Sequence, residues 1–144
     1  MQHSYPALLL LGMLSATTVL AQEPPAEEAH PCTAIPLFHC VERLDDGSAV
    51  AHFGYDLQCP QGEEPVPDLT VPIGEDNHFS PDPADRGQPV LFMPGRHADE
   101  FEAEFTAEEI KQAKDVHWMV NRISARVDFT RTKDAELDCT ALTY

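Results

Sequence analysis

Three residues in the segment 74–97 have the chemistry of a hydrolytic triad. Ser80 supplies a hydroxyl nucleophile, His97 a base, and Asp85 a carboxylate that could orient the base. The flanking glycines of a nucleophile elbow are missing at Ser80, and the many prolines nearby are typical of structural loops. A small hydrolase that uses the 74–97 loops is therefore an alternative hypothesis and not the first one.

The same segment carries oxygen ligands of the kind that Ca²⁺ prefers. Calcium takes about six to eight oxygens, and the order of the acidic residues here does not match an EF-hand loop. The weak calcium candidates are Asp76, Asp82 and Asp85. His39 and His52 are expected to share a strand face, but two imidazoles do not define a transition-metal site. A calcium-stabilised adhesion-type module is a second alternative, and no cofactor is predicted.

Two arginines stand out in a strongly acidic chain. Arg86 and Arg96 could bind an anionic ligand, but carboxylates lie close to both in sequence. Bidentate pairs that pin the loops to carboxylates or carbonyls are the favoured interpretation. A candidate loop site for binding is formed by Asn77, Asp85, Arg86, Arg96 and His97.

The elements that must position these residues begin with a predicted β-hairpin. Asp46-Gly47 lies between two strand-like runs, which is a strong signal for a two-residue turn. That turn places Cys40 opposite Phe53 on the apolar face of the hairpin. Val41 and His52 then point to the other face.

One helix is expected to interrupt the strand pattern. Thr106-Ala107-Glu108-Glu109 is a capping box, which predicts a short helix over about 107–114. After it, a hairpin with Asn121-Arg122 as its turn places Trp118 on an apolar face and therefore in the core. The segment 74–87 is interpreted as a long loop, because Asp, Asn, Ser, Pro and Gly dominate it.

The first 21 residues have the order of a secretory signal peptide. An apolar run ends at Val19-Leu20-Ala21 and is followed by a polar, proline-rich stretch. The run is too short to span a bilayer comfortably, so no membrane span is expected after signal cleavage. We therefore predict a secreted or periplasmic protein. Its net charge of −16 argues against nucleic acid as a partner and leaves an unknown protein or surface partner.

The four cysteines predict two disulfides, because an even number in a small exported domain usually forms a disulfide framework. None of them forms the Cys-x-x-Cys pair of a zinc site. The open end of the first hairpin favours Cys32–Cys59, which leaves Cys40–Cys139. A bend after Tyr55 would instead allow Cys40–Cys59.

About seven strands with short connections predict an all-β fold, an immunoglobulin-like antiparallel β-sandwich with one short inserted helix. The expected organisation is a signal peptide over 1–21, an acidic proline-rich linker over 22–34, a β-sandwich domain over 35–130, and a polar tail over 131–144 tethered by Cys139.

Several motifs resemble an immunoglobulin-like β module of uncharacterised function found in exported bacterial proteins. They are Ala51-His52-Phe53-Gly54-Tyr55, Ile73-Gly74-Glu75-Asp76-Asn77-His78-Phe79-Ser80-Pro81, Asp85-Arg86-Gly87-Gln88-Pro89 and Phe92-Met93-Pro94-Gly95-Arg96. The resemblance covers 40–127 and implies a β module without a defined catalytic activity or ligand. Relative to that family, this chain inserts 106–115 and adds three cysteines. The first hypothesis is accordingly a non-enzymatic exported β-sandwich that acts as a binding or structural module.

Overall fold

The computed structural model describes residues 32–60, 66–131 and 137–142. The predicted signal peptide and nearly all of the predicted linker lie outside these residues. The strands are β1 (Thr33–Arg43), β2 (Ala49–Gln58), β3 (Leu69–Thr70), β4 (Asn77–Ser80), β5 (Leu91–Phe92), β6 (Gly95–Phe105), β7 (Asp115–Val120) and β8 (Ile123–Asp128). One α-helix, α1 (Ala107–Gln112), and a short 3-10 helix, Cys139–Leu142, complete the elements. No helix within the described ranges has the length and apolar character needed to cross a membrane.

Two three-stranded antiparallel sheets and one two-stranded sheet surround a single aromatic core. The strand orders are β1-β2-β6, β4-β7-β8 and β3-β5. Phe53 from the first sheet contacts Phe79 from the second with ring centroids 5.4 Å apart. Phe101 and Trp118 meet across the same interface at 4.9 Å, and Trp118 is fully buried, as predicted. The all-β sandwich is therefore confirmed.

The first hairpin turns through three residues and not through two. The N–H of Leu44 donates to the carbonyl of Ser48 at 3.0 Å, and the N–H of Gly47 donates to the carbonyl of Leu44 at 3.0 Å. Gly47 has a φ of 87°, which is the left-handed conformation required at the third position of this type of loop. The extra loop residue shifts the register of the whole hairpin.

The shift exchanges the faces that were expected for β1. Cys40 lies opposite His52 and not opposite Phe53, while Val41 lies opposite Ala51. Val41 is completely buried, so the prediction that it points away from the core is wrong. A second irregularity, between Phe38 and Cys40, restores the apolar alternation towards the beginning of the strand.

A glycine allows β6 to approach β2 closely. A Cβ atom at Gly54 would lie 2.0 Å from the carbonyl oxygen of His97, so no other residue fits without moving the backbone. The register between β2 and β6 shifts at this point, between Phe53 and Tyr55. β6 runs from Gly95 to Phe105, and in its second half apolar residues alternate with glutamates.

The segment 74–87 is not entirely a loop, because it contains β4, which pairs with β7. This raises the number of strands to eight within the described residues. The second hairpin is as predicted, with positive φ values at Asn121 and Arg122. The capping box is also present, although α1 ends at Gln112 and not at residue 114.

Both disulfides follow the pairing that the hairpin favoured, Cys32–Cys59 and Cys40–Cys139. β1 begins at Thr33, inside the predicted linker, and Cys32 is already buried. The tail is held by its disulfide and by a 2.8 Å hydrogen bond in which the Val41 N–H donates to the Leu137 carbonyl.

Candidate functional site

Asn77, one of the predicted loop-site residues, lies in the core with no exposed surface. Its amide nitrogen donates to the carbonyls of Val71 and Pro89 at 2.9 and 2.8 Å. Its amide oxygen accepts a hydrogen bond from the Trp118 indole at 3.0 Å. All three bonds are buried or partly buried and join two loops to β7, so Asn77 organises the fold and does not face a ligand.

Arg86 is also fixed within the protein, and its side chain is only 7% exposed. One guanidinium nitrogen, Nη1, donates to the Glu104 carbonyl at 3.0 Å, and Nη2 pairs with Glu109 Oε1 at 2.8 Å. The guanidinium carbon lies 4.3 Å from the centre of the Phe105 ring, which is a cation–π contact. This is the loop-pinning role that was favoured over anion binding.

Glu109 links this arginine to the inserted helix. Its carboxylate accepts from the Thr106 N–H at 2.7 Å and so closes the capping box while it also holds Arg86. Burial alone would raise the pKa of Glu109, but the Thr106 N–H and the Arg86 guanidinium outweigh it and hold the pKa below its usual value. The inserted helix therefore supplies the carboxylate that neutralises Arg86.

A cleft of about 230 Å³ borders this ion pair, and Pro81, Asp82, Gln112, Ala113 and Val116 complete its lining. Arg86 Nε is buried there and has no hydrogen-bond partner among the atoms that the structure describes. Both other guanidinium nitrogens are bonded to the protein. Little of the positive charge of Arg86 is therefore available to bind an anion in the cleft.

Arg96 and His97 lie at the opposite end of β6. Arg96 is exposed, and His97 stacks on Tyr55 with ring centroids 4.6 Å apart. Glu104, which binds Arg86, is seven strand residues from His97, or about 20 Å along β6. The five residues of the candidate loop site are thus divided among the core and the two ends of one strand.

The hydrolytic triad is not assembled either. Ser80 lies on β4 opposite His117 of β7, and Asp85 accepts a hydrogen bond from the backbone of Gly87. His97 is at the far end of β6. The Asp85 contact is a turn contact, and His97, the required base, is separated from both Ser80 and Asp85 by most of the length of β6.

The calcium candidates do not form a cluster in the part of the chain that the structure describes. Asp82 borders the Arg86 cleft, whereas Asp76 is an exposed turn residue whose carbonyl accepts from the Asn121 N–H. The group of three His, Cys, Asp or Glu side chains that does gather among the described residues lies elsewhere and includes none of them.

That group consists of Cys40, His52 and Cys139, and their ligand atoms lie within 4.8 Å of one another. His52 Nδ1 is 3.0 Å from Asp99 Oδ1. Sequence reasoning missed this cluster because the two-residue turn placed Cys40 and His52 on opposite faces. The Asp-Asp-Gly sequence of a three-residue loop was the signal that could have revealed it.

An apolar ridge on β5 was also missed. Four large hydrophobic side chains are exposed among the described residues, and three of them are Val90, Leu91 and Met93, at 43%, 48% and 47%. The fourth, Leu44, stands alone. Exposed hydrophobic residues that occur singly are ordinary, but a contiguous group marks a candidate interaction surface.

The backbone beneath the ridge is fixed by hydrogen bonds. The Val71 N–H donates to the Val90 carbonyl at 2.8 Å, and the Met93 N–H donates to the Tyr55 hydroxyl at 3.0 Å. Burial raises the pKa of Tyr55, and the negative charges of Glu100 and Asp68 raise it further. Both carboxylates therefore disfavour ionisation of the Tyr55 hydroxyl, which holds the backbone at Met93.

The described geometry thus contains a rigid apolar ridge with acidic neighbours and, separately, a disulfide beside an imidazole. Tertiary contacts bring the disulfide and the imidazole together, whereas the ridge residues are neighbours in sequence and only their exposure is a tertiary property. Comparison with protein-family models, with curated proteins and with solved structures found no match for this chain.

Proposed function

We propose that this chain is an exported β-sandwich module that binds a basic, amphipathic segment of another protein through the ridge of Val90, Leu91 and Met93. The observation that carries the proposal is the concentration of three exposed large hydrophobic side chains in four consecutive residues. Apolar residues at the centre of a surface patch supply most of the affinity of protein interfaces. The loop motifs that resemble immunoglobulin-like modules of exported proteins support a non-catalytic exported module and do not specify a ligand.

Rigidity favours the ridge as a binding surface. Leu91 and Met93 are two residues apart in an extended segment and therefore project to the same side, away from buried Phe92, so these two side chains form the binding face of the ridge. Val90 is exposed next to them in sequence but lies on the Phe92 side by the same alternation. The hydrogen bonds to Val71 and Tyr55 hold this segment in place before a partner arrives. A surface that is already ordered loses less conformational entropy on binding.

Charge selects the chemistry of the partner. The net charge of −16 repels anionic lipid surfaces and nucleic acid, and it attracts cations. Asp68 immediately precedes Leu69, which pairs with Phe92, so its negative charge lies near Met93 at one end of the ridge. A partner segment that alternates apolar and basic side chains complements both features, because its apolar face covers the ridge and its cations meet the acidic surroundings.

Export is the second part of the proposal. It rests on the signal-like segment 1–21 and on two disulfides, which form and persist in oxidising compartments. Intact mass of the protein recovered outside the cytoplasm of a bacterial host tests it. The expected mass is that of a chain that begins near Gln22, and a chain that retains 1–20 would contradict export by signal cleavage.

Binding is tested with a synthetic peptide of alternating Lys and Leu, compared with a peptide of alternating Glu and Leu. Titration followed by NMR should give shifts confined to the ridge and its neighbours for the basic peptide alone. Leu91→Glu should weaken binding by about tenfold or more, since burial of one Leu contributes about 1.5–3 kcal/mol. Added salt should weaken it further.

Leu44→Glu is the matched control, because Leu44 is similarly exposed but lies apart from the ridge in the first hairpin turn. It should leave peptide affinity unchanged. Equal binding of the acidic peptide, or equal effects of the two substitutions, would contradict the proposal. If the protein is a dimer and Leu91→Glu dissociates it, the ridge binds a second copy of the chain and not a basic segment of another protein.

A further inference from the structure

We infer that the reduced form of this protein binds a thiophilic divalent metal ion, such as Zn²⁺, through Cys40, Cys139 and His52. Cys40 and His52 are directly opposite each other on β1 and β2, and the tail brings Cys139 to the same place. The two sulfurs and an imidazole nitrogen lie within 4.8 Å of one another. Two thiolates and an imidazole are a ligand set that zinc accepts, with a fourth position left for water.

A carboxylate orients the imidazole in the manner found at metal centres. His52 Nδ1 is 3.0 Å from Asp99 Oδ1 and 3.9 Å from Glu102 Oε1. A hydrogen bond from Nδ1–H to Asp99 leaves Nε2 as the free ligand atom and increases its basicity. The two carboxylates also place negative charge beside the cation.

Two backbone contacts besides the disulfide hold Cys139 close to β1. The Val41 N–H donates to the Leu137 carbonyl at 2.8 Å, and Val41 and Asp138 form a parallel bridge. These contacts hold the tail against β1 independently of the sulfur–sulfur bond. Tetrahedral zinc with its usual bond lengths separates two thiolate sulfurs by about 3.8 Å and a sulfur from an imidazole nitrogen by about 3.5 Å. After reduction the two sulfurs must therefore move apart from their bonded distance of 2.11 Å, while the imidazole nitrogen, now within 4.8 Å, must move closer by up to about 1 Å.

Metal binding requires that an external reductant first opens the Cys40–Cys139 disulfide. A dithiol reductant transfers two electrons and two protons to the Cys40–Cys139 disulfide, which becomes two thiols while the reductant becomes a disulfide. Zn²⁺ then displaces the two thiol protons into solution and binds the thiolates. His52 binds as the neutral imidazole.

The experiment titrates the anaerobically reduced protein with Co²⁺, a spectroscopic substitute for Zn²⁺. We expect one equivalent to bind with thiolate-to-cobalt charge-transfer bands and the visible bands of tetrahedral cobalt, and Zn²⁺ to displace it. His52→Gln should weaken binding at least tenfold, and Asp99→Asn by about 10–100-fold through loss of the outer hydrogen bond. His39→Gln, an exposed neighbour on β1, should bind like the unmodified protein.

A Cys32→Ser/Cys59→Ser variant separates the two cysteine pairs, and it should retain the site. Circular dichroism of each reduced variant measures whether reduction disrupts the fold. If it does, Zn²⁺ should restore the β-sheet spectrum of the unmodified protein but not that of His52→Gln. The inference is overturned if the oxidised protein binds Co²⁺ equally well, if His52→Gln has no effect, or if Zn²⁺ restores neither protein.

Discussion

One arginine lies near each end of β6, and the structure uses the two in opposite ways. Near Phe105, Arg86 is 7% exposed and is enclosed by the Glu104 carbonyl, the Glu109 carboxylate and an aromatic ring. Near Gly95, Arg96 is exposed and follows the exposed residue Met93 by three positions in sequence. The first end is closed by internal contacts, whereas the second leaves apolar and charged groups accessible.

This contrast shows why residue type alone does not identify a site. Both arginines have proline, glycine and acidic neighbours in sequence, and by residue type each could bind a ligand or stabilise the fold. The closed end has a helix that supplies a carboxylate at 2.8 Å, so the guanidinium is used by the protein itself. The open end has fixed backbone but uncovered side chains, which is the arrangement that a partner needs.

The largest effect is expected in the interior that both ends share. Trp118→Ala should lower the free energy of unfolding by about 3–5 kcal/mol, because it removes a fully buried ring and leaves the Asn77 oxygen unpaired. Chemical denaturation measures it. Ser124→Ala, an exposed change on β8, should stay within about 0.5 kcal/mol. A loss below about 1 kcal/mol for Trp118→Ala would show that the ring does not hold the two sheets together.

The next test compares the two arginines directly. A broken buried ion pair costs about 3–5 kcal/mol, and we expect about 2–3 kcal/mol for Arg86→Ala because Glu109 is one-third exposed. Arg96→Ala should change the free energy of unfolding by less than about 0.5 kcal/mol. Denaturation curves of both variants measure the difference. Similar losses would abolish the distinction between a closed and an open end.

The smallest expected effect is on the pH dependence of stability, and it comes from Glu109. The folded-state pKa of Glu109 lies below its ordinary value, so its contribution is present above the unfolded pKa of about 4.3 and is lost as pH falls through the lower folded value. Glu109→Gln should therefore reduce the melting temperature at neutral pH, and the difference from the unmodified protein should shrink below about pH 4. Glu108→Gln, the exposed neighbour, is the control. A difference that is constant with pH would show that the Glu109 charge does not stabilise the closed end.

Much of the fold was accessible from local sequence. The Thr106–Glu109 capping box, the Asn121-Arg122 turn and the burial of Trp118 depend on contacts between near neighbours or on simple alternation, and all three are present. β4 was missed because its most important residue is polar: Asn77 is buried, with its bonds made to three distant groups. A polar residue that is satisfied only by tertiary contacts looks like a loop residue in sequence.

The amino-acid sequence by itself determined the all-β class, the two disulfides and the apolar faces of the second hairpin. Alternation of apolar and polar residues is a local property of each strand, and an even number of cysteines in an oxidising compartment favours disulfides. The tertiary structure alone decided which groups became a site. One additional residue in the first turn moved Cys40 beside His52, and the packing of α1 on the 81–89 loop enclosed Arg86. Register and long-range packing determine which side chains share a face, and a change of one residue reverses that outcome along a whole strand.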